Sequence, residues 1–212
     1  MPSSTARQQF PGAITDCRAQ NPTQGEASPS HALPPLVSNA RLGMVMLIAA
    51  ETMLFIGLIG SYLMFRIGSV AWPSAHLYLP IGVTWVNTAI LLSSGYTIQR
   101  AVHAARINDR SLLLSRLGVT TLLGIVFLAI QGYEWLQLVR DGLTISTGIY
   151  GATFYTLIGC HALHVLAAVL WLGILLRQTQ RQISLVQIEI CRMYWQYVCA
   201  LWVVLFTLVY LN

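Results

Sequence analysis

Among the side chains with the chemistry to hold a proton, a metal or a charge, five stand out because they fall in or beside strongly apolar stretches. Glu51 lies inside "LIAAETMLFIG" (Leu47 to Gly57), and Glu134 is the fourth residue of "QGYEW". His161 and His164 stand three apart in "GCHALHVLAAVLW", and Glu189 precedes the last apolar run. A carboxylate in hydrocarbon is costly, so an acid such as Glu51 must find a partner or keep its proton. Histidines at i and i+3 share a helix face and raise the question of haem or metal. The remaining histidines, His31, His76 and His103, lie in the tail or in connections. The pair is also one residue short of the i, i+4 spacing of a zinc-binding helix. The residue pattern therefore favours rings hydrogen-bonded to neighbouring helices, with no metal in this chain.

Other chemistries find little support. Cys17, Cys160, Cys191 and Cys199 form no CxxC pair, which argues against a disulfide framework or a zinc site. No phosphate-binding glycine loop, nucleophile elbow or internal repeat occurs. Nothing in the chain assembles a nucleophile, a base and an oxyanion donor, so catalysis by this chain alone is not expected.

The elements that position these groups follow from composition. Hydrophobic residues make up 56% of 212 positions and charged residues 9%, against roughly 25% charged in a soluble domain. Five apolar runs approach the roughly 20 residues needed to cross a bilayer: Leu42–Phe65, Ile81–Ile98, Leu113–Tyr133, Tyr150–Leu176 and Met193–Leu211. The second is the shortest. Short connections separate them, marked by Trp72-Pro73, by Arg106 to Arg110, by Arg140-Asp141-Gly142 and by Arg177 to Arg181. The reading is an all-α integral membrane bundle of five transmembrane helices. Glu51 begins roughly 14 Å into the first span at 1.5 Å per residue, close to the midplane of a hydrocarbon core about 30 Å thick. Without a cation nearby it would stay protonated and donate a hydrogen bond.

All 12 basic residues are arginines, scattered singly at the ends of apolar runs, which reads as membrane orientation and not as a nucleic-acid surface. With the amino terminus inside, ten arginines fall on the cytoplasmic side, leaving Arg66 and Arg140 outside. The expected topology is N-inside and C-outside, in a multi-pass membrane protein. Arg41, at the cytoplasmic edge, is a candidate for holding a lipid phosphate. Residues 1–38 are rich in Ser, Pro, Gln, Thr and Ala without period and are expected to form a flexible cytoplasmic tail ahead of the five-helix domain at 39–212. The tail contains no apolar h-region of a secretory signal, and Asp16 and Glu26 argue against a transit peptide.

The order of motifs is distinctive. Arg41-Leu-Gly-Met, Glu51 ten positions on, Trp72-Pro73, "VNTAILLSSG", "QGYEW", "GIYGATFY", "GCHALHV", Glu189 and "YWQYV" with Trp202 follow one another from Arg41 to the C-terminus. This series resembles subunit III of the haem-copper oxidases, the cytochrome c oxidase family, in its short five-helix bacterial form. The resemblance implies a non-catalytic subunit that packs against oxidase subunit I, beside subunit II and other oxidase subunits. It also implies bound phospholipid and support for proton uptake during respiratory electron transport. Haem and copper are then expected in the partner subunits and none in this chain. Oxygen would be reduced to water there with electrons from cytochrome c or quinol. The family's buried glutamate falls on Glu51, its second span-end glutamate on Glu134, its paired histidines on His161 and His164, and its last-loop acid on Glu189.

Two departures accompany the resemblance. Longer family members have seven helices, and the first pair, which helps to form a lipid cleft, has no counterpart among the five apolar runs. The usual Tyr-Trp-His-Phe-Val-Asp of the last helix here becomes Tyr194-Trp195-Gln196-Tyr197-Val198-Cys199. The same five-helix pattern is similar to the subunit III-like accessory protein of nitric oxide reductases, which stands as the alternative. A small membrane carrier is a further alternative, although the chain contains no inverted repeat or paired broken helices.

Overall fold

The computed structural model describes residues 39–68, 81–142, 144, 148–178 and 184–211. Residues 1–38, His76 and the Trp72-Pro73 connection lie outside the described residues, and so do residues 179–183 of the fourth connection. Five helices follow in order: α1 (Asn39–Gly68), α2 (Ile81–Arg106), α3 (Arg110–Arg140), α4 (Ile149–Gln178) and α5 (Leu185–Tyr210). Helices α1 to α4 each contain one of the five apolar runs, and α5 covers the fifth as far as Tyr210; each helix also extends beyond its run toward flanking polar residues.

Local chemistry explains where the helices stop. Between α2 and α3 the chain reverses in three residues. Asn108 takes a left-handed φ of 56°, which asparagine tolerates better than most residues. Asp109 then caps α3, its carboxylate accepting from the Leu112 backbone N–H at 3.0 Å. After Arg140, Asp141 closes α3 and Gly142 adopts φ 88°, a region open to glycine at little steric cost. A capping box starts α5, with the Ser184 hydroxyl accepting from Gln187 N–H and the Gln187 side chain returning to the Ser184 N–H. The helix thus begins eight residues ahead of Met193, where the apolar run starts, because the cap and not the hydropathy sets its first turn.

Four helices, α1, α3, α4 and α5, are long and apolar enough to cross a membrane. Large apolar side chains cover their outer faces; Met53 on α1 is 72% exposed and Leu163 on α4 is 64% exposed. This suits contact with lipid. The second helix falls short of the same hydropathy because of Thr84, Asn87, Thr88 and Ser94. Those residues recur at helical spacing with Leu91 and Ile98, and all six are buried in the bundle. The polarity of α2 is turned toward neighbouring helices, while Val83, Trp85, Val86 and Leu92 face outward.

Helix α2 packs on α3 and α5, α4 packs on α1, α3 and α5, and α1 packs on α4 and α5. Trp195 and Trp202 of α5 fill the centre. Their indole N–H groups donate to Ser94 Oγ and Thr88 Oγ1 of α2, each at 3.0 Å. Trp195 also explains Gly124 on α3. A Cβ there would stand 2.6 Å from the indole and 2.8 Å from Val169 of α4, so only glycine lets the three helices close.

Candidate functional site

Three polar constellations interrupt the apolar bundle, and four of the five sequence-predicted candidates, Glu189, Glu51, His164 and Glu134, are distributed over them. At one end, Glu189 in the second turn of α5 accepts from Arg41 Nη2 of α1 through one carboxylate oxygen and from Arg106 Nη2 of α2 through the other, the latter at 3.0 Å. The beginning of α1, the end of α2 and the beginning of α5 therefore share one face of the bundle. Glu189 is largely enclosed, whereas the side chains of Arg41 and Arg106 are 46% and 62% exposed. Arg41, predicted as a lipid contact, is thus also a helix tie. Arg106 was not singled out from the sequence, although its place at the arginine-rich end of a span was the available signal.

Near the middle of the bundle, Glu51 of α1 faces α4 and α5. Its Oε1 accepts from the Tyr194 hydroxyl at 3.2 Å and lies 3.8 Å from His164 Nε2. The opposite ring nitrogen, His164 Nδ1, is 2.7 Å from the backbone carbonyl of Cys160, so Nδ1 carries the hydrogen and Nε2 is left to face the carboxyl. Phe55 meets the imidazole edge-on at 5.2 Å. Glu51 Oε2 is buried with no partner among the described residues. The acid that the sequence left without a cation has a histidine beside it, which neither spacing nor hydropathy revealed. Tyr194, too, became visible only through the packing of α5 on α1.

The third constellation joins α2 to α3. Glu134 is 1% exposed, more deeply buried than its position near the aromatic end of the third span suggested. Thr84 Oγ1 lies 3.0 Å from its Oε1, and Gln131 Nε2 donates to its Oε2 at 3.2 Å. Asn87 Nδ2 reaches Gln131 Oε1 at 3.5 Å and the Phe127 carbonyl at 3.4 Å. Gln131 stands within the quoted "QGYEW" one turn before Glu134, so the motif contained the signal for it. Thr84 and Asn87 carried none beyond their polarity.

The two histidines diverge. His161 is fully buried, stacked on Trp202 at 5.1 Å and edge-on to Phe127 at 6.4 Å. Neither of its ring nitrogens has a hydrogen-bond partner among the described residues. The expectation that both rings bond to neighbouring helices fails here, because His161 is held by aromatic stacking and His164 bonds within its own helix. The 60° offset of an i, i+3 pair sends one ring into the α5 aromatics and the other toward α1. Among the described residues no three His, Cys, Asp or Glu side chains converge as a metal site would need.

The altered positions of the last helix have local partners. Gln196 Oε1 accepts from Arg192 at 3.1 Å, and Cys199 Sγ lies 3.7 Å from the Leu91 carbonyl against α2. Two grooves lie on the surface of the described helices. One, about 380 Å³, runs between α3 and α4 past Gln131, Gly132, Trp135 and Leu163. The other, about 160 Å³, lies between α1 and α4 beside Ser61 and Thr156.

Comparison with known proteins points in one direction. Residues 23–212 match the family described as cytochrome c oxidase subunit III, a match that begins ahead of Arg41. The chain is 38% identical over 199 residues to cytochrome c oxidase subunit 3 of Synechocystis sp., covering 89% of this chain and 81% of that protein. It is 32% identical over 177 residues to the protein of the same name from Bacillus sp., covering 82% and 86% of the two chains. With the subunit 3 of Corynebacterium diphtheriae it shares 34% identity over 176 residues, 80% of this chain and 86% of the other.

Proposed function

The chain belongs to the cytochrome c oxidase subunit III family, and from that premise we propose that it stabilises the catalytic subunit I of a haem-copper terminal oxidase and supports its proton uptake. The observation that carries this reading is the family match over nearly the whole chain, shared with relatives named oxidase subunit 3 at 32–38% identity. The chemistry of the chain is compatible with an auxiliary role: its buried polar groups tie helices together. Haem and copper belong to subunits I and II in this reading, with cytochrome c or quinol as electron donor. The outward apolar faces of the helices are then divided between partner subunits and membrane lipid.

The proposed topology crosses a bacterial inner membrane five times, N-inside and C-outside, over a flexible tail at 1–38. Its support is the arginine distribution, together with the ion triad that gathers Arg41, Arg106 and Glu189 at one end. Placing α2 as a span is supported by its inward-facing polarity. At the cytoplasmic end Arg41 keeps enough exposure beside Glu189 to contact a lipid phosphate as well. Glu51, His164 and Tyr194 serve as a tie between α1, α4 and α5.

Affinity purification of the tagged chain from native membranes in mild detergent tests the assignment. A co-purifying large subunit with haem absorbance and oxygen uptake driven by cytochrome c or quinol is the expected outcome. Recovery of nitric oxide reductase subunits instead would overturn it in favour of the accessory reading.

A further inference from the structure

Glu134 is the most deeply buried carboxyl among the described residues, and its setting differs in kind from those of the other buried acids. Glu189 has two arginines and Glu51 a histidine. None of the ion pairs among the described residues includes Glu134, whose two close contacts, Thr84 and Gln131, are neutral. A carboxylate enclosed in apolar surroundings without a cation loses its hydration and gains no compensating charge, so the group neutralises by taking up a proton.

The hydrogen-bond network indicates where that proton sits. Asn87 Nδ2 faces Gln131 Oε1, which turns the Gln131 amide so that its Nε2 faces Glu134 Oε2. That oxygen is therefore an acceptor, since an amide N–H can only donate. The remaining oxygen, Oε1, faces the Thr84 hydroxyl at 3.0 Å. A threonine hydroxyl has two lone pairs and accepts as readily as it donates. We propose that Glu134 is an internal proton-binding site, a neutral and exchangeable carboxylic acid that donates from Oε1 to Thr84 Oγ1 and accepts at Oε2 from Gln131 Nε2. Exchange has a route, because Gln131 also lines the groove of about 380 Å³ between α3 and α4. One amide side chain separates the acid from that opening, and a swing of Gln131 connects them.

This inference is independent of the oxidase assignment, since it rests on contacts within the helix bundle and on the groove beside Gln131. The test is infrared spectroscopy of the full-length chain purified in its native complex, comparing wild type with Glu134→Gln in H2O and in D2O. Glutamine is the neutral isostere, and its amide reproduces a donor toward Thr84. The expected difference spectrum loses a protonated-carboxyl C=O stretch that moves to lower frequency in D2O. Loss of the paired bands of an ionised carboxylate would overturn the proposal, as would a C=O band unmoved by D2O. Should the glutamine variant fail to assemble, Thr84→Val supplies the second reading. Removing the hydroxyl acceptor shifts the same C=O band to higher frequency, and an unshifted protonated-carboxyl region would overturn the assignment.

Discussion

Glu51 and Glu134 are both glutamates within helices of one apolar bundle, yet their surroundings treat them oppositely. Glu51 lies at an interface of three helices, 14% exposed at its side chain, with an imidazole at 3.8 Å and a phenol at 3.2 Å. Its partners are an imidazole on α4 and a phenol on α5. Glu134 lies where α2 and α3 pack closely, with a hydroxyl and an amide as neighbours. Nothing there shares the charge, and the acid keeps its proton. The difference shows that depth in the membrane does not by itself decide what a carboxyl does; the identity of the side chain across the helix interface does.

The largest test acts on the packing that both regions lean on. Gly124→Ala places a methyl group against Trp195 and Val169, which hold α3, α4 and α5 together. Overpacking of this kind costs about 1–3 kcal/mol. We expect a clearly lower melting temperature of the purified complex, and an unchanged one would show that the α3 contact tolerates separation.

A change confined to the Glu134 side is expected to be smaller. Gln131→Leu removes a donor to Glu134 and the acceptor of Asn87 Nδ2. Interhelical hydrogen bonds in membranes average about 0.6 kcal/mol and reach about 1.7; one such bond, from Asn87 of α2 to Gln131, is lost here together with the bond from Gln131 to Glu134 within α3. Thermal unfolding should register a destabilisation of about 1–2 kcal/mol. A neutral result would mean that the amide network contributes specificity without stability.

On the other side, Tyr194→Phe deletes one hydrogen bond to Glu51 and leaves the histidine contact in place. About 0.5–1 kcal/mol is expected from the same measurement. Combining it with His164→Leu should exceed the sum of the single changes, because the carboxyl then loses both partners. Strict additivity would break the picture of Glu51 as a shared centre and make the two regions alike.

The smallest effect belongs to Asp109, in the connection outside the bundle. Hydrogen bonds from the Leu112 backbone and the Ser111 hydroxyl hold its carboxyl below the ordinary value of 3.8. Its contribution to the start of α3 is therefore complete above that value and is lost as the pH falls through the lower folded value. Amide exchange at Leu112 should quicken in strong acid relative to an Asp109→Asn variant, whose cap does not titrate. By contrast, exchange around Glu134, whose proton is already bound, should not respond over that acid range.

Much of this was legible in the chain. Apolar runs of spanning length, the turn residues at Arg106 to Arg110 and at Arg140-Asp141-Gly142, and the inventory of buried acids and histidines are local properties. Composition and short-range spacing reveal them because hydrocarbon tolerates few polar groups and turns need particular residues. The ordered motifs from Arg41 to Trp202 were enough to point to the family. The start of α5 lies ahead of its apolar run, at the readable cap formed by Ser184 and Gln187, because hydropathy carries no information about capping. Which residue meets which was not legible. His164 beside Glu51, the two arginines on Glu189, Thr84 opposite Glu134 and Trp195 over Gly124 join residues 50 to 148 positions apart, or meet at an approach only a glycine allows. Those pairings depend on helix rotation and crossing. A hydropathy profile averages over rotation, so the sequence determined that five helices would carry buried charge, and only tertiary packing decided which charges would be shared.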